Sequence, residues 1–323
     1  MSGPTVLVLA QADDDTTDLV MDALAVRRAA VSRVDTADFP GAVSVAARPD
    51  QVERAGWLRV HGERIDLTSV RSVYRRHPTR FTFPTSMSGP ERQFAMRESV
   101  YGLGGVLTAQ PWRWLDHPST VADASYKPHQ LKVATGCGLN VPPCLVTNIG
   151  AEARKFAAEI GGDLVYKSLS TGVVAEQDEL RIIYTTRLAD GDLDESNDQS
   201  IELCPILLQR WVPKAFDIRL TVVGERCFAV AVHTENPEAL VDWRSRYDEL
   251  SYQICSTPDE VRCGVLAYLR RFALTFGAFD FSVTPDGRWW FLECNPAGQW
   301  GWVVEETGLP IAEAIADELT RTA

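Results

Sequence analysis

Residues 280–295 read Asp280-Phe-Ser-Val-Thr-Pro-Asp-Gly-Arg-Trp-Trp-Phe-Leu-Glu293-Cys-Asn295. Two apolar runs, Phe279–Val283 and Trp289–Glu293, bracket Thr-Pro-Asp-Gly287 and so predict a β-hairpin with a turn glycine. Pairing Val283 with Arg288 sets position 280 opposite 291 and puts Glu293 one pleat along on the same face. Asn295 keeps that parity, whereas Cys294 alternates away. Two carboxylates and an amide oxygen then converge between apolar neighbours. Like charges at such range repel and each loses hydration, which calls for a compensating cation. A few hard oxygen donors suit Mg²⁺ that takes its other ligands from phosphate. The same spacing also suits exposed strand residues with a capping asparagine, and a bulge in the turn would send Glu293 to the other face.

Upstream of the hairpin, Val261, Val265, Leu266, Leu269 and Phe272 have the spacing of an amphipathic helix over 258–276, with Gly277 as its stop. Asp217–Val223 and Arg226–His233 flank Gly224-Glu225 as a second hairpin, in which Asp217 and Arg219 share a face. That pair reads either as an ion pair or as an arginine aimed at a phosphoryl group or substrate carboxylate. Arg244, in Asp242-Trp-Arg244, offers a second such cation on a loop. Strands are expected at 144–147, 164–168, 180–186 and 206–212, with helices over 127–135, 151–160 (capped by Asn148) and 310–320. The acidic stretch 190–198 reads as a solvated tip.

The first 118 residues read as an α/β unit. Val6–Ala10 is an apolar strand, and Thr16 or Thr17 is placed to cap a helix reaching about Arg28. A strand over 67–74 leads into Arg75-Arg76-His77. A helix over 90–101 is expected to break at Gly102, Gly104 and Gly105, and Pro111–Pro118 reads as an ordered linker. The expected division is 1–118, 119–205 and 206–323.

Composition narrows the function classes. A net charge of −12 opposes a nucleic-acid footprint. No apolar run approaches the roughly 18–20 residues of a membrane span, and the N-terminus lacks a signal-peptide pattern, so a cytoplasmic protein is expected. Seven scattered cysteines without a C-x-x-C pair read as small buried hydrophobes in a reducing compartment. Of 32 basic residues only five are lysines, which singles out Lys127 and Lys167 as compact ammonium groups for phosphate. Lys167 sits in an apolar strand just before Ser168-Leu-Ser-Thr-Gly172, a loop able to close over phosphates.

Three stretches carry a resemblance. They are Tyr126-Lys-Pro-His-Gln-Leu-Lys-Val-Ala with Gly138–Asn148, Gln209-Arg-Trp-Val-Pro-Lys-Ala-Phe-Asp-Ile-Arg219, and Phe291-Leu-Glu-Cys-Asn-Pro-Ala-Gly-Gln-Trp-Gly-Trp302. Together they resemble ATP-grasp ligases, and more narrowly the ribosomal-peptide maturases that make microviridins and related graspetides. The resemblance implies an α/β (α+β) ATP-grasp fold behind a Rossmann-like pre-ATP-grasp domain. It also implies ATP and Mg²⁺ as cofactors, a homodimer, and a precursor peptide with a leader and an acidic, hydroxyl-rich core as partner. Lys127 and Lys167 would contact phosphates. Gln209, Arg210, Trp211 and Val212 would form the hinge against adenine, with backbone groups reading its edge. Arg219, with Asp217 and Arg244, would serve the transferring phosphoryl group, and Asp280, Glu293 and Asn295 would hold Mg²⁺. His77 stands where the family has proline after Arg-Arg, and Thr171 where it has glycine. The implied reaction activates an Asp or Glu carboxylate and joins it to a Ser/Thr hydroxyl or a Lys amine. Ligation of a free amino acid is the alternative, and a non-catalytic nucleotide-binding scaffold is a third reading.

Overall fold

The computed structural model describes residues 5–51, 56–170, 172–176 and 179–321, so the expectation about Thr171 lies outside the described residues. The chain divides into two compact units. One comprises 1–121, 274–276 and 299–323, and the other 122–273 and 277–298.

In the first unit a parallel sheet runs in the order Ala30–Val34, Thr5–Ala10, Val70–Arg76, Arg113–Leu115. Its last strand falls in the stretch read as a linker. The strand Thr5–Ala10 is buried along its whole length, as a central parallel strand is on both faces. The helix Asp15–Val26 follows, and its cap is Asp14, which accepts from the Thr17 N–H at 2.6 Å, rather than either threonine. The helix Gly89–Thr108 runs straight through its three glycines. Each glycine costs about 1 kcal/mol relative to alanine. Buried Leu103 and Leu107, together with a Ser88–Glu91 capping box, offset that. A three-stranded antiparallel sheet, Val43–Ala47, Gly56–Val60 and Glu63–Asp66, completes the core. The closing helix Ile311–Thr320 belongs here too: the Leu319 carbonyl accepts from Ser72 Oγ at 2.7 Å and Arg113 Nη2 at 2.9 Å.

The second unit holds two further sheets. One is antiparallel, in the order Thr186–Arg187, Leu164–Lys167, Ile206–Arg210, Cys144–Thr147. The other has five strands in the order Ser251–Cys255, Arg226–His233, Phe216–Val223, Phe276–Val283, Trp289–Asn295. Tyr268 of the helix Asp259–Phe272 packs on Phe279 and Phe291 beneath it, and Phe281 joins both. That helix ends at Ala273, whose φ of +54° makes the turn, and not at Gly277. Gly277 lies inside a strand, where a Cβ would come within 2.8 Å of Phe279 and 3.0 Å of Leu269. The helix Gly150–Ile160 starts after Ile149 with no side-chain cap from Asn148. The acidic tip includes the short helix Asp198–Leu203, and Asp198 pairs with Arg154 at 2.6 Å.

Candidate active site

The hairpin register differs from the expected one. Val283 pairs with Trp289 and Phe281 with Phe291, a shift of one residue, and the register then slips again so that Asp280 lies opposite Glu293. Leu292 is the extra residue, a β-bulge within the strand rather than in the turn. The shift and the bulge compensate, and the two carboxylates become direct cross-strand neighbours.

Cations surround them. Arg219 donates through Nη1 to Asp280 at 3.0 Å. Arg244 donates through Nη1 to Glu293 at 2.9 Å and lies 3.9 Å from Asp280. Lys127 Nζ is 3.1 Å from the other Glu293 oxygen and donates to the Ser168 carbonyl at 2.7 Å. Buried Asp242 holds Arg244 through Nε at 2.8 Å and Nη2 at 3.1 Å, and accepts from the Thr185 N–H at 3.0 Å. Burial alone would raise Glu293, but Arg244, Lys127 and Lys167 hold it well below the usual carboxylate range. Asp280 goes the other way: burial raises it against the pull of Arg219 and Arg244. Withdrawal from water lowers Lys167 to about 8 despite Glu293, with Lys127 adding to the lowering.

All of these except Arg219 line a cleft of about 270 Å³ in the second unit. Gln209 also lines it, 1% exposed and with no hydrogen-bond partner for Nε2. Asp217 and Arg219 do not pair with each other. Asp217 accepts from Lys214 and, at 2.8 Å, from Ser282 Oγ. Within the hinge stretch the Arg210 N–H donates to the Pro143 carbonyl and the Trp211 N–H to the Asp163 carbonyl, both at 2.8 Å, so these two amides are already engaged. Their side chains stack elsewhere, Arg210 over Trp290 and Trp211 against Arg187 and Lys214.

Lys127, Lys167, Gln209, Arg210, Trp211, Val212, Asp217, Arg244, Asp280 and Glu293 all line the cleft. Arg219 stands behind Asp280, and its approach requires Gly298, where a Cβ would fall 2.9 Å from Nη2. Asn295 is exposed, and its Oδ1 accepts from the Ala297 N–H at 3.0 Å, so it does not join the two carboxylates in this structure. Among the described residues no group of three or more His, Cys, Asp or Glu side chains is arranged to hold a metal. Arg76 is buried in the first unit, bonded to Asp14 at 3.2 Å and to Gln299.

Residues 5–122 match the model of the MvdD pre-ATP-grasp domain. The macrocyclase MdnB from Microcystis aeruginosa MRC superposes over 98% of this chain and 99% of its own, at 31% identity and a TM-score of 0.80. The chain belongs to the ATP-grasp macrocyclase family. Macrocyclase MdnC of the same organism, solved with its precursor peptide MdnA, is 29% identical over 99% of this chain and 100% of its own, at a TM-score of 0.85. A Chryseobacterium gregarium RiPP-associated ATP-grasp ligase, in complex with ADP and a leader and core peptide, is 24% identical over 99% and 96%, at a TM-score of 0.90. No curated protein sequence matches the chain. As a member of this family the protein is an ATP-grasp ligase with a mixed α/β fold.

Lys214, Asp242 and Ser282 are among the cleft residues that the sequence did not assign to the site. Lys214 carried a usable signal as one of five lysines, three positions before Asp217. Ser282 had one too, since it shares the face of Asp280. Asp242 had none, because its role depends on a loop returning to the sheet.

Proposed function

We propose that this macrocyclase-family ligase uses ATP and Mg²⁺ to activate Asp or Glu side chains of a ribosomal precursor peptide, joining them to a hydroxyl or amine of the same chain. The observation that carries the reading is the Asp280–Glu293 pair, set face to face among Lys127, Lys167, Arg219 and Arg244. Five cations line the cleft, Lys127, Lys167, Arg210, Lys214 and Arg244, with Arg219 behind them, against the four carboxylates Asp217, Asp242, Asp280 and Glu293. The surplus is positive, so these donors suit a cation that arrives with a polyanion rather than alone.

In the reaction a carboxylate oxygen of the peptide takes the γ-phosphoryl group and ADP leaves. The hydroxyl or amine then attacks the acyl carbon, phosphate departs and one proton is lost. Bound Mg²⁺ would supply Lewis-acid shielding of the phosphate charge, with Asp280 and Glu293 as its protein donors. Lys127 and Lys167 orient phosphate oxygens, Gln209 Nε2 offers a hydrogen bond to the base, and Arg219 and Arg244 stabilise charge on the migrating group. Holding both partners on one peptide supplies effective concentration.

The reading is tested with an encoded precursor peptide, ATP and Mg²⁺: the peptide is expected to lose one water mass per link as ADP appears. An unchanged peptide with consumption of a free amino acid overturns it. A pH profile adds a check on Lys167. Its charge is lost as pH rises past about 8, so kcat/KM for ATP should fall on that limb. Lys167→Arg keeps its charge, and its profile should stay flat there.

A further inference from the structure

The strand Trp289–Asn295 ends its sheet: among the described residues it pairs with Phe276–Val283 on one side and with no strand on the other. Such an edge leaves alternate N–H and C=O groups unpaired, and a bulged edge has little of its own to fix register. Here two residues close it. Gln130, 3% exposed on the helix Lys127–Gly136, accepts from the Cys294 N–H at 3.0 Å and donates through Nε2 to the Cys294 carbonyl at 2.8 Å. One side-chain amide thus reproduces both hydrogen bonds of an antiparallel residue pair. The second Nε2 hydrogen goes to the Ala124 carbonyl at 2.7 Å. Asn140, beyond the same helix, accepts from the Phe291 N–H through its main-chain carbonyl at 2.7 Å and donates through side-chain Nδ2 to the Trp289 carbonyl at 3.1 Å.

The two contacts bracket Leu292, the bulged residue, with Phe291 fixed on one side and Cys294 on the other. Without the bulge Glu293 would alternate to the opposite face, away from Asp280. We infer that Gln130, assisted by Asn140, is a positioning residue: it pins the edge-strand bulge that turns Glu293 toward Asp280. Its consequence for metal use rests on the function proposed above. The hydrogen bonding does not.

The test compares Gln130→Met, close in size but unable to form any of the three bonds, with Val133→Ala, a core truncation on the same helix. In the metal-free protein, hydrogen exchange over 289–296 is expected to be at least ten-fold faster in Gln130→Met and unchanged in Val133→Ala. In the ligase assay, half-saturating Mg²⁺ at fixed nucleotide should rise five-fold or more for Gln130→Met only. Should Gln130→Met be insoluble, Gln130→Asn, one methylene too short to reach both Cys294 groups, is expected to shift both readouts the same way. A soluble variant with wild-type exchange over 289–296, or with faster exchange but unchanged Mg²⁺ dependence, overturns the inference. A wild-type protein indifferent to Mg²⁺ overturns the functional reading instead, while the exchange rates still decide whether Gln130 holds the bulge.

Discussion

Glu293→Gln is expected to lower the kcat of peptide-dependent ADP formation by about 10²–10³-fold, while the KM for ATP stays level or falls. The two effects separate because Glu293 has two kinds of neighbour. One oxygen accepts from Arg244 and the other faces Lys127, so its charge now balances cations that phosphates would otherwise meet. Removing that charge leaves Lys127, Lys167 and Arg244 more attractive to a triphosphate. Arg244 also stays in place, since Asp242 grips it through two bonds. What the amide cannot do is serve as an anionic oxygen donor opposite Asp280. The measurement is ADP release against ATP concentration at saturating peptide. A raised KM with intact kcat would mean that Glu293 merely orders the cations, and the metal assignment would fall.

Much of this site is legible in the chain, for a physical reason: side chains on a strand alternate with period two, so Asp217 and Arg219, or Asp280 and Ser282, share a face whatever surrounds them. What the sequence hides is register. The turn bonds its Thr284 N–H to the Arg288 carbonyl at 3.0 Å and so sets Val283 opposite Trp289, while the bulge at Leu292 is held by contacts from Gln130 and Asn140, more than 140 residues earlier in the chain. The same cause underlies other departures. The glycines of the helix Gly89–Thr108 look like breakers locally, yet Leu103 and Leu107 bury a face that continues through them. Residues 113–115 look like a linker because a three-residue edge strand has no periodicity to display, and its partner Val70–Arg76 is what defines it. Asp14 caps its helix better than Thr16 or Thr17 because it precedes the first turn and Thr17 is packed inside. Arg76 is predictable as a strand-end cation but not as a buried one, since Gln299 comes from the other end of the chain.

Arg219→Met should reduce activity at least as much as the Glu293 change and should also destabilise the fold by about 3–5 kcal/mol, the range for stripping one partner from a buried ion pair. Both Arg219 and Asp280 are about 5% exposed or less, so Asp280 cannot turn to water when its guanidinium is removed. Burial already raises the carboxyl against the pull of Arg219; without that arginine it must rise further. The sign of the pH dependence follows. A folded-state pKa above the unfolded value gives stability that is present at low pH and is lost as pH climbs through the folded value. The deficit of Arg219→Met relative to wild type should therefore widen as pH rises above the unfolded Asp value of about 4, as the unfolded chain ionises and the folded one resists. Denaturant melts across that rise measure it. Adding Asp280→Asn removes the stranded charge, so the double variant should recover most of the lost stability and lose the pH slope, yet remain inactive, because neither the phosphoryl-facing cation nor the anionic donor is restored. A double variant as unstable as Arg219→Met would mean that the arginine supports the sheet through its packing, and that its pairing with Asp280 is incidental to the fold.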